Sequence, residues 1–157
     1  MTPTETDIAM MHRALDLART AAAMGEVPVG AVVYETVTGA VIAEAHNRRE
    51  IDADPSAHAE HIAIVQACRD RADWRLADCT LVVTLEPCPM CAGLIVNARI
   101  GRLVYGAPDP KAGAVDTLYQ ITRDARLNHH VEPIANVCAE ESGSLLKDFF
   151  RRLRAEE

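Results

Sequence analysis

Residues 80–98 read TLVVTLEPCPMCAGLIVNA and contain two structural signals side by side. The run 80–85 is short and rich in β-branched residues, which predicts a strand, and the segment 89–98 predicts a helix. Before this stretch, residues 57–70 predict another helix, because they follow the helix-start signal Asp-Pro-Ser. After it, residues 103–106 are again strand-like. The centre of the chain therefore alternates between helix and strand.

The rest of the chain extends this pattern in both directions. Thr6 can cap a first helix, and Gly39 lies in the turn between two strands that form a hairpin. A hairpin followed by alternating helices and strands predicts an α/β layered sheet with helices on both faces. The remaining predicted elements are, in chain order, a helix over 7–24, strands over 27–34 and 41–45, a turn over 109–113, a helix over 115–123, a strand over 131–136 and a helix over 140–154.

Size and charge restrict the classes of protein to consider. The chain has 157 residues, the usual size of one compact domain, and we expect residues 1–157 to form a single domain. Its 16 basic and 23 acidic residues give a net charge of −7, which argues against coating nucleic acid through a general positive field. No apolar stretch approaches the ~18 residues of a membrane helix, and the first residues are polar and acidic. We therefore expect a cytoplasmic protein without a membrane segment.

The cysteines point to a metal site. Five are present, an odd number, so a metal site or free thiols are favoured over a disulfide framework. Cys88 and Cys91 lie at the junction between the predicted strand and helix, where both thiols fall on one face of a first helical turn. The N–H groups and dipole of a helix N-terminus stabilise thiolates, the form that binds metal. A single C-x-x-C pattern does not by itself distinguish a metal site from a redox pair or from two core cysteines.

The motif H-A-E at residues 58–60 opens the preceding predicted helix and supplies an imidazole and a carboxylate. A zinc ion with three protein ligands leaves its fourth position to water, which is the catalytic arrangement, and Glu60 is then free for proton transfer. Taken singly, His58 could be a capping or core histidine and Glu60 an ordinary first-turn carboxylate. His61 is a competing ligand, but the spacing His58-x-Glu60 favours His58. We expect one zinc ion per chain, bound by His58, Cys88 and Cys91.

An H-x-E motif at a helix start, followed by P-C-x-x-C at the next strand-to-helix junction, is typical of zinc-dependent nucleobase deaminases. The chain moreover resembles the bacterial tRNA-specific adenosine deaminases of the cytidine and deoxycytidylate deaminase superfamily, which convert the wobble adenosine of a tRNA anticodon to inosine. The resemblance extends from the first predicted helix to the last. It is carried by the strings GEVPVGA at 25–31, NR at 47–48, DPSAHAE at 54–60, TLEPCPMCAG at 84–93, DPKAGA at 109–114, LNH at 127–129 and DFFR at 148–151.

The resemblance implies a three-layer, cytidine deaminase-like fold, with a five-stranded mixed sheet, helices on both faces and the last two strands parallel. It implies a homodimer in which both subunits contribute to binding a tRNA anticodon stem-loop. It also implies Glu60 as the proton shuttle of a hydrolytic deamination that releases ammonia. The other implied site residues are Asn47 and the backbone of Ala59, which read the base, Val29 and Leu85, which line the pocket, Asp109 and Lys111 beside the flipped-out nucleotide, and Arg151, Arg152 and Arg154 along the anticodon stem.

Two other functions remain open from the sequence. The same zinc chemistry serves deaminases of a free base or nucleoside, of the guanine or cytosine type, whose pocket a C-terminal segment would close. The basic residues Arg151, Arg152 and Arg154 favour an open RNA groove, although cations also suit the last turn of a solvated helix. A non-catalytic, zinc-stabilised binding module is the second alternative. Glu60 argues against it, because a structural site has no use for a carboxylate that is not a ligand.

One segment bears on the predicted homodimer. Leu94, Ile95 and Val96 form an apolar face on the helix that contains Cys91, and such a face can pair with a second copy of the chain. Ordinary packing in the core explains the same three residues equally well.

Overall fold

The computed structural model describes all 157 residues, which form a central sheet with helices on both of its faces. The helices are α1 (Glu5–Ala23), α2 (Ala59–Arg71), α3 (Pro89–Asn97) and α4 (Ala139–Ala155). The strands are β1 (Gly30–Glu35), β2 (Val41–His46), β3 (Cys79–Leu85), β4 (Arg102–Ala107) and β5 (Pro133–Ile134). None of these helices combines the length and the apolar character required to span a membrane.

The five strands lie in the order β2-β1-β3-β4-β5. β1 pairs antiparallel with β2, as a short hairpin requires, and also antiparallel with β3. β3, β4 and β5 run parallel to one another, and α3 provides the crossover that a parallel β3–β4 pair needs. The predicted five-stranded mixed sheet, with helices on both faces and its last two strands parallel, is confirmed.

Successive residues of the central strands point to opposite faces of the sheet. Leu81 and Val83 pack in the core with residues of α2 and α3, whereas Val82 packs with residues of α1. β3 is therefore buried on both faces, which explains why its central residues Leu81, Val82 and Val83 are all apolar. The metal-site residues predicted from the sequence all belong to the starts of α2 and α3, on the first of these faces.

The first helix begins two residues earlier than predicted, and Thr4, not Thr6, is its N-cap. Thr4 Oγ1 accepts a hydrogen bond from the backbone N–H of Asp7 at 3.0 Å, and the Asp7 carboxylate accepts one from the Thr4 N–H at 2.9 Å. This reciprocal capping box satisfies two backbone donors. Asp7 is fully buried and also binds Arg102, on β4, and Tyr34, on β1. Contacts with residues that are distant in sequence therefore stabilise the N-terminus of α1.

The predicted helix over residues 115–123 is wrong. The structure has turns in this segment, followed by a single 3-10 turn at Ile121–Arg123. The N–H groups of Val115, Asp116 and Thr117 bind the Glu86 carboxylate, an arrangement that a helix start would also allow. The helix fails after them, because the N–H groups of Leu118 and Ile121 donate to the carbonyl oxygens of Gly113 and Ala114 and not to those four residues back.

Two further expectations change in detail. The last strand covers only two residues, Pro133–Ile134, and its proline lacks the N–H group that a longer ladder would use. In α3, Ile95 and Val96 are buried in the interior, and Leu94 is partly buried against the same core. Core packing, and not an exposed apolar face, therefore describes Ile95 and Val96.

Candidate active site

The starts of α2 and α3 lie side by side and bring three donor side chains together. His58 is the N-cap of α2 and Cys88 is the N-cap of α3, both with extended backbone, and Cys91 lies in the first turn of α3. His58 Nδ1 lies 3.6 Å from Cys88 Sγ and 3.6 Å from Cys91 Sγ. The donor atoms of all three residues lie within 4.8 Å of one another, and His61 is not part of the group.

This donor set fits a zinc ion. One imidazole nitrogen and two thiolates are ligands that zinc prefers, and three protein donors leave a fourth coordination position open. Cys91 is fully buried, while His58 and Cys88 line an adjoining cavity. Hydrogen bonds from Cys91 and His58 lower the pKa of Cys88 to about 4, which favours its thiolate. The same interaction with Cys88, together with burial, raises the pKa of Cys91.

Glu60 lies in the first turn of α2, and only 4% of its surface is exposed. Burial raises the pKa of its carboxyl group to about 7, because its own backbone N–H, His58 and the Cys91 thiol offset the loss of water only in part. Glu60 lines the cavity beside His58 and Cys88. A carboxyl group in these surroundings can both accept and release a proton close to neutral pH.

The cavity has a volume of about 380 Å³, the size of a small-molecule site. Every residue that the sequence resemblance assigned to the base or its pocket lines it, namely Val29, Asn47, Ala59, Leu85, Asp109 and Lys111. Leu146 and Phe150, four residues apart on α4, also line it. The sequence placed these two residues only within the helix predicted over 140–154, and the string DFFR was the signal that could have drawn attention to Phe150.

Asn47 has a fixed orientation at the cavity wall, with 7% of its surface exposed. Its Nδ2 donates a hydrogen bond to the carbonyl oxygen of Val27 at 3.3 Å, and its Oδ1 accepts one from the N–H of Arg49 at 3.1 Å. An amide group has two N–H donors and two acceptor lone pairs. One donor and one acceptor direction of Asn47 therefore remain after these two bonds.

Glu86 is a site residue that sequence reasoning missed. It follows β3 directly, is 2% exposed, and lines the cavity. Its carboxylate accepts hydrogen bonds from four backbone N–H groups and from a threonine hydroxyl. The donors are the N–H groups of Asp109 (3.0 Å), Val115 (3.2 Å), Asp116 (2.9 Å) and Thr117 (3.0 Å), and the hydroxyl of Thr117. Burial alone would raise the pKa of Glu86, but these donors outweigh burial and lower it.

The close approach around Glu86 also explains Gly113. A Cβ atom at this position would lie 2.4 Å from the Glu86 carboxyl group, so only glycine fits without a displacement. Glu26 plays a comparable structural part, with 1% of its surface exposed. It accepts hydrogen bonds from the N–H groups of Glu50 at 3.0 Å and Ile51 at 2.9 Å. Two buried carboxylates thus hold the loops that carry Asn47 and Asp109.

The three arginines predicted to contact RNA lie outside the cavity. Arg151, Arg152 and Arg154 are exposed at the C-terminal end of α4. Arg151 makes an ion pair with Asp148 at 3.1 Å, in which both side chains are largely exposed. In the sequence of α4 these arginines follow Phe150, which lines the cavity.

This fold, with an H-x-E motif and a P-C-x-x-C motif at two neighbouring helix starts, is typical of the zinc-dependent deaminases. In agreement, a family model described as MafB19-like deaminase matches residues 5–154. The chain is 46% identical over 144 residues to a tRNA-specific adenosine deaminase of Bacillus subtilis, and the aligned region covers 92% of this chain and 88% of that protein. It is 44% identical over 153 residues to one of Haemophilus influenzae, with 98% and 88% covered. The chain therefore belongs to the MafB19-like deaminase family and, within it, to the tRNA-specific adenosine deaminases.

Solved structures agree with this assignment. A chain from a study of A-to-I editing by tRNA:A34 deaminases at the wobble position of transfer RNA superposes with a TM-score of 0.83 at 41% identity, covering 88% of this chain and 99% of that one. A guanine deaminase from Nitrosomonas europaea superposes with a TM-score of 0.77 at 23% identity, covering 95% and 85%. The second match shows a shared fold and no more. The resemblance stated from the sequence strings is confirmed.

Proposed function

We propose that this protein deaminates adenosine to inosine, by hydrolysis, at the wobble position of a tRNA anticodon. The observation that carries the proposal is the grouping of His58, Cys88 and Cys91 beside the buried Glu60 in one cavity. It is supported by relatives at 41–46% identity that are named tRNA-specific adenosine deaminase. We further propose that residues 1–157 act as a single deaminase domain and that the protein works in the cytoplasm, as a homodimer.

In this proposal, His58, Cys88 and Cys91 hold one zinc ion per chain. When bound there, zinc supplies Lewis acidity, which makes water a nucleophile near neutral pH. Glu60 accepts one proton from the attacking water and delivers it to the ring nitrogen next to C6. It then transfers the second proton of that water to the amino group, which leaves as ammonia. The products, inosine and ammonia, account for every atom of adenosine and water.

The remaining cavity residues position the base. Val29 and Leu85 supply apolar walls on which a flipped-out adenine can pack. Asn47 retains a donor and an acceptor direction toward the base, and the N–H of Ala59 belongs to the helix start, where backbone donors have no partner within the helix. Asp109 and Lys111 contact the nucleotide at the mouth of the cavity. Arg151, Arg152 and Arg154 contact phosphates of the anticodon stem.

The decisive experiment supplies the zinc-loaded protein with an anticodon stem-loop that carries a wobble adenosine. Parallel reactions contain free adenine, adenosine, guanine and cytidine, and both inosine and ammonia are measured. We expect inosine to form in the stem-loop and little turnover of the free compounds. Efficient deamination of a free base together with an inert stem-loop would move the protein to the guanine- or cytosine-type alternative.

A further inference from the structure

Outside the candidate active site, the structure brings together a second group of three side chains that can bind a metal ion. They are His12 on α1, Cys138 at the N-cap of α4 and Glu141 in the first turn of α4. Their donor atoms lie within 4.8 Å of one another, the same criterion that the His58 group meets. His12 and Glu141 are exposed and Cys138 is partly buried, so an ion can reach the group directly from solvent.

The second group shares part of the construction of the first, although the backbone of Cys138 is left-handed where that of Cys88 is extended, and His12 lies within its helix where His58 is an N-cap. In the first, Cys88 caps α3 and Cys91 follows three residues later; in the second, Cys138 caps α4 and Glu141 follows three residues later. Residues three apart across a helix start lie on the same side of the first turn. In each group a histidine from another helix supplies the third donor. The second group thus offers an imidazole nitrogen, a sulfur and a carboxylate oxygen, all of which are zinc ligands.

The nearest cation binds the donor atoms of this second group only weakly. Arg19 is the cation beside Glu141, and its Nη2 lies 3.9 Å from the carboxylate, too far for a hydrogen bond. Both side chains of that pair are about half exposed, so the pair contributes little. The thiolate of Cys138 and the carboxylate of Glu141 would together balance the charge of a divalent cation.

We propose that His12, Cys138 and Glu141 form a second site for a divalent transition-metal ion of the zinc type, independent of the active-site ion. An ion bound there joins α1 to the start of α4. Because α4 also carries Leu146 and Phe150, which line the cavity, the second ion restrains the helix that forms one cavity wall. Affinity is lower than at the first site, because one thiolate replaces two and two of the three ligands are exposed side chains that must be ordered.

The test uses protein that already holds its first zinc ion, which is then titrated with Zn²⁺ against a competing chelator and, separately, with Co²⁺. Thiolate bound to Co²⁺ gives a near-ultraviolet charge-transfer band, which reports directly on Cys138. The variants are His12→Ala, on the exposed face of α1, and Cys138→Ser. The matched control is Cys68→Ser, a partly buried free cysteine on α2 that belongs to neither group.

We expect a second equivalent in the wild type and in Cys68→Ser, with the charge-transfer band present in both. His12→Ala and Cys138→Ser should weaken the second equivalent by about 100-fold or more, since even outer-shell substitutions cost 10–100-fold, and should leave the first in place. Excess Zn²⁺ should raise the melting temperature of the wild type but not of His12→Ala. A wild type that stops at one equivalent, or a second equivalent that both variants bind as tightly, would overturn the proposal.

Discussion

Glu60, at the start of α2, and Glu86, at the end of β3, are both buried and both line the same cavity, yet their surroundings differ. Glu86 accepts four backbone N–H bonds and a hydroxyl bond, and its pKa lies below the ordinary value. Glu60 has few donors near it, and burial raises its pKa to about 7. Burial alone therefore does not decide the charge of a carboxyl group. The number of donors aimed at it does.

The difference separates two uses of one residue type within a single site. Glu86 remains an anion and organises a loop, because several N–H groups would be left unsatisfied without its charge. Glu60 is free to exchange a proton, because no such set of donors holds it in one state. Substitutions at these two carboxylates, and at groups elsewhere in the chain, test this account of the site.

The largest effect is expected from Cys88→Ser, because the role of Glu60 depends on an adjacent metal ion. Serine lacks the thiolate, so we expect loss of zinc and of measurable deamination of the stem-loop. Metal analysis of the purified protein and an inosine assay provide the two measurements. Full zinc occupancy in Cys88→Ser would remove this residue from the ligand set.

Glu60→Gln should retain zinc and the fold but lose turnover by about 10²–10⁴-fold, because glutamine preserves shape without a transferable proton. Single-turnover rates on a bound stem-loop isolate the chemical step, and metal content serves as the control. Activity close to that of the wild type would assign proton transfer to another group and break the contrast with Glu86.

Glu86→Gln should act on structure first. One amide oxygen cannot replace a carboxylate that accepts five hydrogen bonds, and we expect a loss of about 3 kcal/mol in the free energy of unfolding. Amide hydrogen exchange should accelerate at Asp109 and Thr117. The matched variant Glu26→Gln should accelerate exchange at Ile51 instead, since Glu26 holds the other loop. Unchanged exchange at Thr117 in Glu86→Gln would show that Glu86 does not hold its loop.

Asp7 extends the comparison to the opposite face of the sheet. Burial raises its pKa, but hydrogen bonds from Arg102, Tyr34 and Thr4 outweigh burial and lower it from 3.8 to about 2. Because the pKa of Asp7 is lower in the folded protein, ionised Asp7 contributes to the free energy of unfolding. The contribution is complete above about pH 4 and is lost as the pH falls toward 2. It amounts to about 2 kcal/mol.

Asp7→Asn should therefore lower the free energy of unfolding at neutral pH by about 2 kcal/mol and flatten its decline in acid. Urea unfolding over a pH series provides the measurement. The control is Asp16→Asn on the same helix, where the carboxylate is 78% exposed and we expect almost no change. An acid decline as steep in Asp7→Asn as in the wild type would contradict the assignment.

The smallest effect on chemistry is expected from replacing Arg151, Arg152 and Arg154 by alanine, because they lie outside the cavity. RNA affinity should fall and its salt dependence should flatten, by a slope of up to about 0.7–0.9 per lost phosphate contact. Asn47→Ala should instead impair turnover and leave the salt slope almost unchanged, since a base contact carries specificity and not counterion release. Filter binding at several salt concentrations measures the slope. An unaltered slope in the triple variant would remove these arginines from the RNA surface.

Local signals were sufficient for most of the elements and for the types of ligand. The run 80–85 and the helix beginning at Pro89 follow from patterns within a few residues, and so does the spacing of Cys88 and Cys91. The segment 115–123 is not the predicted helix, because the N–H groups of Leu118 and Ile121 donate to Gly113 and Ala114 and not to the carbonyls four residues back. Its first N–H groups bind Glu86, 29 to 31 residues earlier in the chain. The residues of this segment do not by themselves indicate the contact with Glu86.

By itself, then, the sequence identified His58, Cys88 and Cys91 as candidate metal ligands, because both motifs are short spacings across helix starts, and it identified the family through long shared strings. Only the tertiary structure decided which groups meet. It placed His58 beside the two cysteines, buried Glu60 with few donors and Glu86 with many, and brought His12 to Cys138 and Glu141. These contacts join segments distant in the chain, and their geometry depends on how the helices pack on the sheet.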